Sequence, residues 1–309
     1  MQSAWQELQQ ELENPATTDQ RRWQIGQQLA EMGDPRPGIG VKNGVPDMVW
    51  LPLAAGGEVT VIRTWHPEST GEEARVIHRQ TFQVEPFYIA QYLVTHAQYQ
   101  TFVAAEDGFD NVTWWQDIPT AYQRQPLSEQ RTKLSNNPRD GLSWYQSVAF
   151  ARWLNQRLTG LELPHPAGAG RFRVGDNAQI RLPAEWEWQW AAQNGAEARP
   201  YPWGEARPGY ANTEESGLKQ AVAVGMYPQG AAACGALDMA GNLMEWCAND
   251  KKNLEIVDVA SPATKALRGG DWGYALDYAS CTYCDDETPE RMDFLNGCRL
   301  VVGSKLMEP

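Results

Sequence analysis

No stretch of this chain stays apolar for the roughly 18 residues that a membrane-spanning helix needs. The N-terminus, MQSAWQELQQELENP, is polar and lacks the apolar core of a secretory signal. The expected setting is therefore cytoplasmic, with no membrane partner. Basic side chains are in the minority: 26 Lys and Arg stand against 39 Asp and Glu, a formal charge of −13. Such a chain repels phosphate backbones, which excludes nucleic acid as a partner. Cysteine is scarce and odd in number, at five, and three of them fall between Cys281 and Cys298. That distribution does not make a disulfide framework. The four histidines, His66, His78, His96 and His165, show no metal-binding spacing. Tryptophan, by contrast, is abundant. Fourteen Trp with 27 Gly and 20 Pro point to an irregular, loop-rich α+β fold rather than a helical bundle.

Two pieces are expected, an N-terminal helical segment and linker over 1–46 and a main domain over 47–309. Trp5, Leu8, Leu12, Trp23, Ile25, Leu29 and Met32 recur at helical spacing, with a break at Asn14-Pro15. The run DPRPGIG, from Asp34 to Gly40, stops the pattern. Residues 1–34 are thus either a helical hairpin packed on the domain or a surface that docks a partner. Short strands are expected at 49–53 and 58–62, and a strand pair at 82–90. Thr95 caps a helix over 96–103. A second helix follows Ser143, with Val148, Phe150, Ala151, Trp153 and Leu154 buried, and a third covers 184–193. Beyond Asn194 little regular structure is expected before a few strands near the end.

Several segments carry a family signature. In order they are Val84-Glu85-Pro86-Phe87-Tyr88-Ile89, Asn137-Pro138, Gly141-Leu142-Ser143-Trp144, Arg181-Leu182-Pro183-Ala184-Glu185-Trp186-Glu187-Trp188 and Tyr201-Pro202-Trp203-Gly204. They continue with Asp238-Met239-Ala240-Gly241-Asn242-Leu243-Met244-Glu245-Trp246, Leu267-Arg268-Gly269-Gly270-Asp271-Trp272 and Gly297-Cys298-Arg299-Leu300-Val301-Val302. Together, over about 47–303, they resemble the formylglycine-generating enzyme (sulfatase-modifying factor) family. The resemblance implies a C-type lectin-like fold with little regular secondary structure. Trp186, Trp188, Trp203 and Trp246 are expected to fill its core.

Enzymes of that family oxidise with a cysteine pair. Counting back from Pro289 and Gly297-x-Arg299 places that pair at Asp271 and Leu276, neither of which forms a thiolate. The chain is therefore not expected to be an enzyme. Cys281 and Cys284 keep an alternative open, an oxidoreductase that uses a displaced Cys-x-x-Cys pair. Another alternative is an invariant interaction domain. Other branches of the family bind iron through histidines, for which the four here are not spaced.

The segment 267–302 resembles a second group more closely, the variable proteins diversified by retroelements. Their C-terminal region begins Arg-Gly-Gly-Ser-Trp and ends Gly-Phe-Arg, with positions between encoded by Asn codons that change at adenines. Only Glu287, Glu290 and Met292 in 273–295 lie outside the residues such changes can reach. Asp271, Arg291-Met292 and Cys298 depart from the group's pattern. The resemblance implies a non-catalytic surface that recognises varied ligands, expected to be proteins. Tyr274, Tyr278 and Phe294 offer large contact area at low entropy cost. Asp277, Asp285, Asp286, Glu287 and Asp293 would make it acidic and suited to an amine-bearing ligand. Gly273, Ala275, Thr288, Arg291 and Leu295 complete the expected surface.

The family resemblance also implies a structural Ca²⁺, held by Asp238, Gly241, Leu243 and Glu245. A second family site would use Asn212 and Thr213, but Ser216 stands where its acidic ligand is expected.

Overall fold

The computed structural model describes residues 4–65, 75–255 and 257–306. His66 and the side chain of His78 lie outside the described residues. The N-terminal segment is a helical hairpin of α1 (Ala4–Glu13) and α2 (Asp19–Glu31). The hydroxyl of Thr18 accepts the Arg21 amide and so caps α2. Leu12, Ile25 and Leu29 are buried against Val222, Ala223, Met226 and Tyr227 of the main body. Gly26 permits this approach, since a Cβ there would lie 2.8 Å from Cβ of Ala223. Arg22 is buried in the same seam. It donates to the carbonyls of Leu12 at 3.0 Å and Met226 at 2.7 Å, and to Oε1 of Gln229 at 2.9 Å. The inward face of the hairpin is thus spent on its own chain.

Two small sheets organise the rest. In the first, antiparallel, the strand order is Trp50–Leu53, Phe87–Ala90, Val301–Gly303, Gln179–Arg181. It seats the C-terminal strand between early ones. Beside it runs a two-stranded ribbon, Gly57–Trp65 with Arg75–Val84. The chain passes from ribbon to sheet at Glu85-Pro86, so the expected pair at 82–90 is two strands of different sheets. Helices α3 (His96–Ala104) and α4 (Trp144–Arg157) each open on a reciprocal cap, Thr95 with Gln98 and Ser143 with Gln146. Val148 is only half-buried on α4, unlike its neighbours Phe150, Trp153 and Leu154. Helix α5 spans Glu185–Ala192.

The second sheet has the order Cys284–Glu287, Lys265–Arg268, Met244–Asp250, Asn296–Gly297, and its last pair is parallel. Every residue of Met244–Asp250 is buried. This strand falls where little regular structure was expected. A strand covered on both faces shows no alternation of polar and apolar residues.

Trp188 and Trp246 are fully buried, as expected, and so are Trp115, Trp144 and Trp153. Each indole finds an acceptor: Trp144 the Cys247 carbonyl and Trp246 the Leu142 carbonyl, both at 2.8 Å. Two core expectations fail. Trp186 is half-buried and stacks on Phe82 at 4.5 Å, because two residues along α5 is nearly half a turn from Trp188. Trp203 is half-buried on a loop and stacks on Tyr201 at 5.4 Å. Among the described residues no helix is long and apolar enough to cross a membrane.

Candidate ligand-binding surface

The segment 267–302 is tied down at both ends by a buried arginine. At its start, Arg268 donates to Oε1 of Glu185 at 2.6 Å and to Oε1 of Gln189 at 3.1 Å. The same guanidinium reaches forward to the carbonyls of Cys281 at 3.1 Å and Tyr283 at 3.0 Å. Arg63 also pairs with Glu185. Burial pushes the Glu185 carboxyl up, but Arg268 and Arg63 outweigh it and hold the group down at about 2. At the far end, fully buried Arg299 pairs with Glu245 at 2.7 Å. It also donates to the carbonyls of Ala90, Gln91 and Leu237.

Between these anchors the backbone is held at intervals. Gly270 turns with φ +66°, and a Cβ there would lie 2.6 Å from the Tyr278 carbonyl oxygen. The Glu214 amide donates to the Tyr274 carbonyl, and the Leu276 amide to Oε1 of Glu215, each at 2.9 Å. A 3₁₀ turn, Leu276–Ala279, follows. The Cys281 amide then donates to the Pro200 carbonyl at 2.8 Å, and strand Cys284–Glu287 pairs with Lys265–Arg268. The Trp144 amide holds the Pro289 carbonyl at 3.0 Å.

The side chains divide in two. Leu276, Ala279, Cys281, Cys284 and Pro289 are buried. Every residue expected to bind is exposed or half-buried: Gly273, Tyr274, Ala275, Asp277, Tyr278, Asp285, Asp286, Glu287, Thr288, Arg291, Asp293, Phe294 and Leu295. Tyr274 and Phe294 are among the exposed large apolar side chains. The aromatics form two clusters. Tyr278 lies 5.4 Å from Tyr274 and 5.2 Å, edge to face, from Tyr283. Trp272 stacks on Phe294 at 5.9 Å under the guanidinium of Arg131. Sequence reasoning missed Tyr283, although it lies in the segment, and Arg131, which reaches it from elsewhere in the chain.

The acidity of the surface is lower than its composition suggests. Asp286 is ion-paired with Lys251, and Asp293 faces Arg291 at 3.4 Å. Asp277 is exposed beside Tyr201, whose hydroxyl is pushed up to about 12 by burial and by this carboxylate.

Asp271 and Leu276 are both buried. The Oδ1 atom of Asp271 accepts the Gly273 amide at 2.7 Å, while Oδ2 has no hydrogen-bond partner. Burial, with Asp293 and Asp285 nearby, raises this carboxyl to about 7. Cys281 and Cys284 are buried free thiols, each pushed up to about 12 mainly by burial. Reactive cysteines are shifted the other way. His165 packs edge-on against Phe172 at 4.9 Å, and burial pushes His96 below its usual range. No group of three or more His, Cys, Asp or Glu able to hold a metal occurs among the described residues.

Of the expected Ca²⁺ ligands, the two carboxylates have partners within the protein. Arg299 donates to both oxygens of Glu245, at 3.1 and 3.0 Å from Nε, and Trp188 donates to Oε2 at 2.8 Å. Asp238 accepts the Gly225 amide at 2.7 Å, and burial raises its carboxyl to about 6. Gly241 and Leu243 lie on the connecting turn, where the Gly241 amide donates to the Gly269 carbonyl at 2.7 Å. At the second family site, the Ser216 hydroxyl donates to Oδ1 of Asn212 at 2.9 Å.

The two small sheets, the sparse helices and the long ordered loops define an irregular α+β fold of the formylglycine-generating-enzyme, C-type lectin-like kind. Residues 38–303 match the sulfatase-modifying factor enzyme 1-like domain, and the chain belongs to that family. It is 27% identical over 253 residues to hercynine oxygenase of Mycolicibacterium thermoresistibile, covering 70% of this chain and 51% of that protein. The chain thus spans about half the length of that relative. Inactive C-alpha-formylglycine-generating enzyme 2 of Mus musculus is 28% identical over 175 residues, 52% of this chain and 46% of that one. Among solved structures, Treponema denticola variable protein 1 shares the fold with a TM-score of 0.57 at 19% identity, covering 84% of this chain and 97% of that one.

Proposed function

We propose that this protein is a non-catalytic binder whose surface over 273–295 recognises ligands, expected to be proteins, and is diversified by a retroelement. One observation carries the reading. Each side chain assigned to binding from the sequence is accessible, on a backbone held by buried Arg268 and Arg299 and by the carboxylate of Glu215. Such a surface changes its side chains without disturbing the core. Fold likeness to a protein named as variable supports the reading, and a relative named as inactive supports the lack of catalysis. The high thiol pKa values of Cys281 and Cys284 weigh against the oxidoreductase alternative.

Sequencing the DNA that flanks the gene tests this. The expected result is a near-copy of the stretch encoding 267–302, differing only at adenines, beside a reverse transcriptase. Absence of any copy would sink diversification and reduce the surface to an invariant one.

A further inference from the structure

Arg131 lies outside 267–302, on a stretch without regular structure, yet its guanidinium is laid on that segment's aromatic pair. Its central carbon is 5.0 Å from the Trp272 ring centroid and 4.8 Å from that of Phe294. The backbone beneath it is fixed. Buried Arg139 donates to Oε1 of Gln130 at 2.9 Å and to the Ser128 carbonyl at 2.8 Å. Gln130 donates to the Pro138 carbonyl at 2.9 Å. The Arg131 amide is held by Asp140, at 3.3 Å from each carboxylate oxygen. A side chain stacked on two rings above a fixed backbone loses little freedom on binding.

Stacking occupies the faces of a guanidinium and leaves its N–H edge for hydrogen bonds. Among the described residues, the Arg131 side chain donates to no acceptor and joins no ion pair. Asp140 accepts its backbone amide and feels its charge without a side-chain hydrogen bond, and Asp293, next to Phe294, faces Arg291. Phe294 is 45% exposed, so an apolar group entering beside Arg131 would find a ring to rest on.

We propose that Arg131, clamped on Trp272 and Phe294, binds a ligand carboxylate that adjoins an apolar group, such as the C-terminus of a protein ending in an apolar residue. The proposal rests on reading this face as a binding surface. It adds a cationic element from outside 273–295, shared by every variant that keeps an apolar side chain at 294.

The test is a titration of the whole protein with 3-phenylpropionate and, separately, with 3-phenylpropionamide. Affinity is read by calorimetry for the parent and both variants, and in the parent the Arg131 Nε–H resonance, assigned by its loss in Arg131→Gln, reports where the ligand sits. A saturable shift with the acid and none with the amide is expected. Arg131→Gln weakens binding about tenfold or more, and Arg131→Lys, which keeps the charge but not the fork, falls between. Arg131 is exposed, so an unchanged thermal midpoint in Arg131→Gln shows that the fold is intact. No shift with the acid, or equal binding by Arg131→Gln, overturns the proposal. Lack of a template copy in the flanking DNA would defeat diversification alone and leave this result standing.

Discussion

Glu185 has no exposed surface and two guanidinium groups on its carboxylate. Glu185→Gln would leave Arg63 and Arg268 buried without their anion, and a loss of about 3–5 kcal/mol in denaturant unfolding is expected. The group also gives the protein an acid-labile contribution. Its folded value of about 2 lies below the ordinary 4.5. The stabilisation is present above pH ~4.5 and is lost as pH falls toward 2. Asp271 acts with the opposite sign, because its folded value is raised to about 7 from 3.8. The folded state keeps a proton that the unfolded state has released, so this contribution declines as pH rises from ~4 through ~7. Asp271→Asn should gain stability relative to the parent at pH 8 compared with pH 5, measured by urea midpoints at both values. A third outcome concerns thiols. Maleimide at pH 7.5 should modify Cys234, which is half-buried, well before Cys281 or Cys284. Rapid native labelling of either buried thiol would revive the redox alternative.

At the scale of elements, the hairpin of α1 and α2 covers Val222, Ala223 and Met226. Deleting residues 1–34 is expected to bare that seam, lower the thermal midpoint and raise dye binding by exposed apolar surface. An unchanged midpoint would mean the hairpin is dispensable to the fold and would favour partner docking. The hairpin was legible in the sequence because helical spacing and the Pro15 break are local signals. Thr95 and Ser143 marked their helices for the same reason. Met244–Asp250 was not legible: Glu245, Asn249 and Asp250 are buried by partners remote in sequence, and no local pattern announces that. The ion pair of Glu245 was not legible either. Its neighbours in the motif suggested a cation ligand, whereas its partner, Arg299, lies far along the chain. The accessibility of the candidate surface was legible residue by residue within 273–295, but Arg131 reaches that face only through tertiary packing.

Across the whole molecule, the buried anchors and the accessible side chains of 273–295 are separated. The combined variant Tyr274→Ser, Tyr278→Ser and Phe294→Ser should keep its thermal midpoint within about 4 °C of the parent. Arg268→Ala alone should fall much further, because it frees the Cys281 and Tyr283 carbonyls and leaves buried Glu185 with Arg63 as its one cation. Calorimetry of the two proteins side by side checks both outcomes. If the triple variant is the less stable, the aromatics belong to the core and not to a binding face.

The two arginine knots have a consequence for protein engineering. Arg268 and Arg299 fasten the chain on either side of the accessible positions, and neither knot draws on those side chains. A display library randomised at 274, 277, 278, 291 and 294 would therefore consist largely of folded members. Selection from it would act on recognition itself and would not first have to discard misfolded clones.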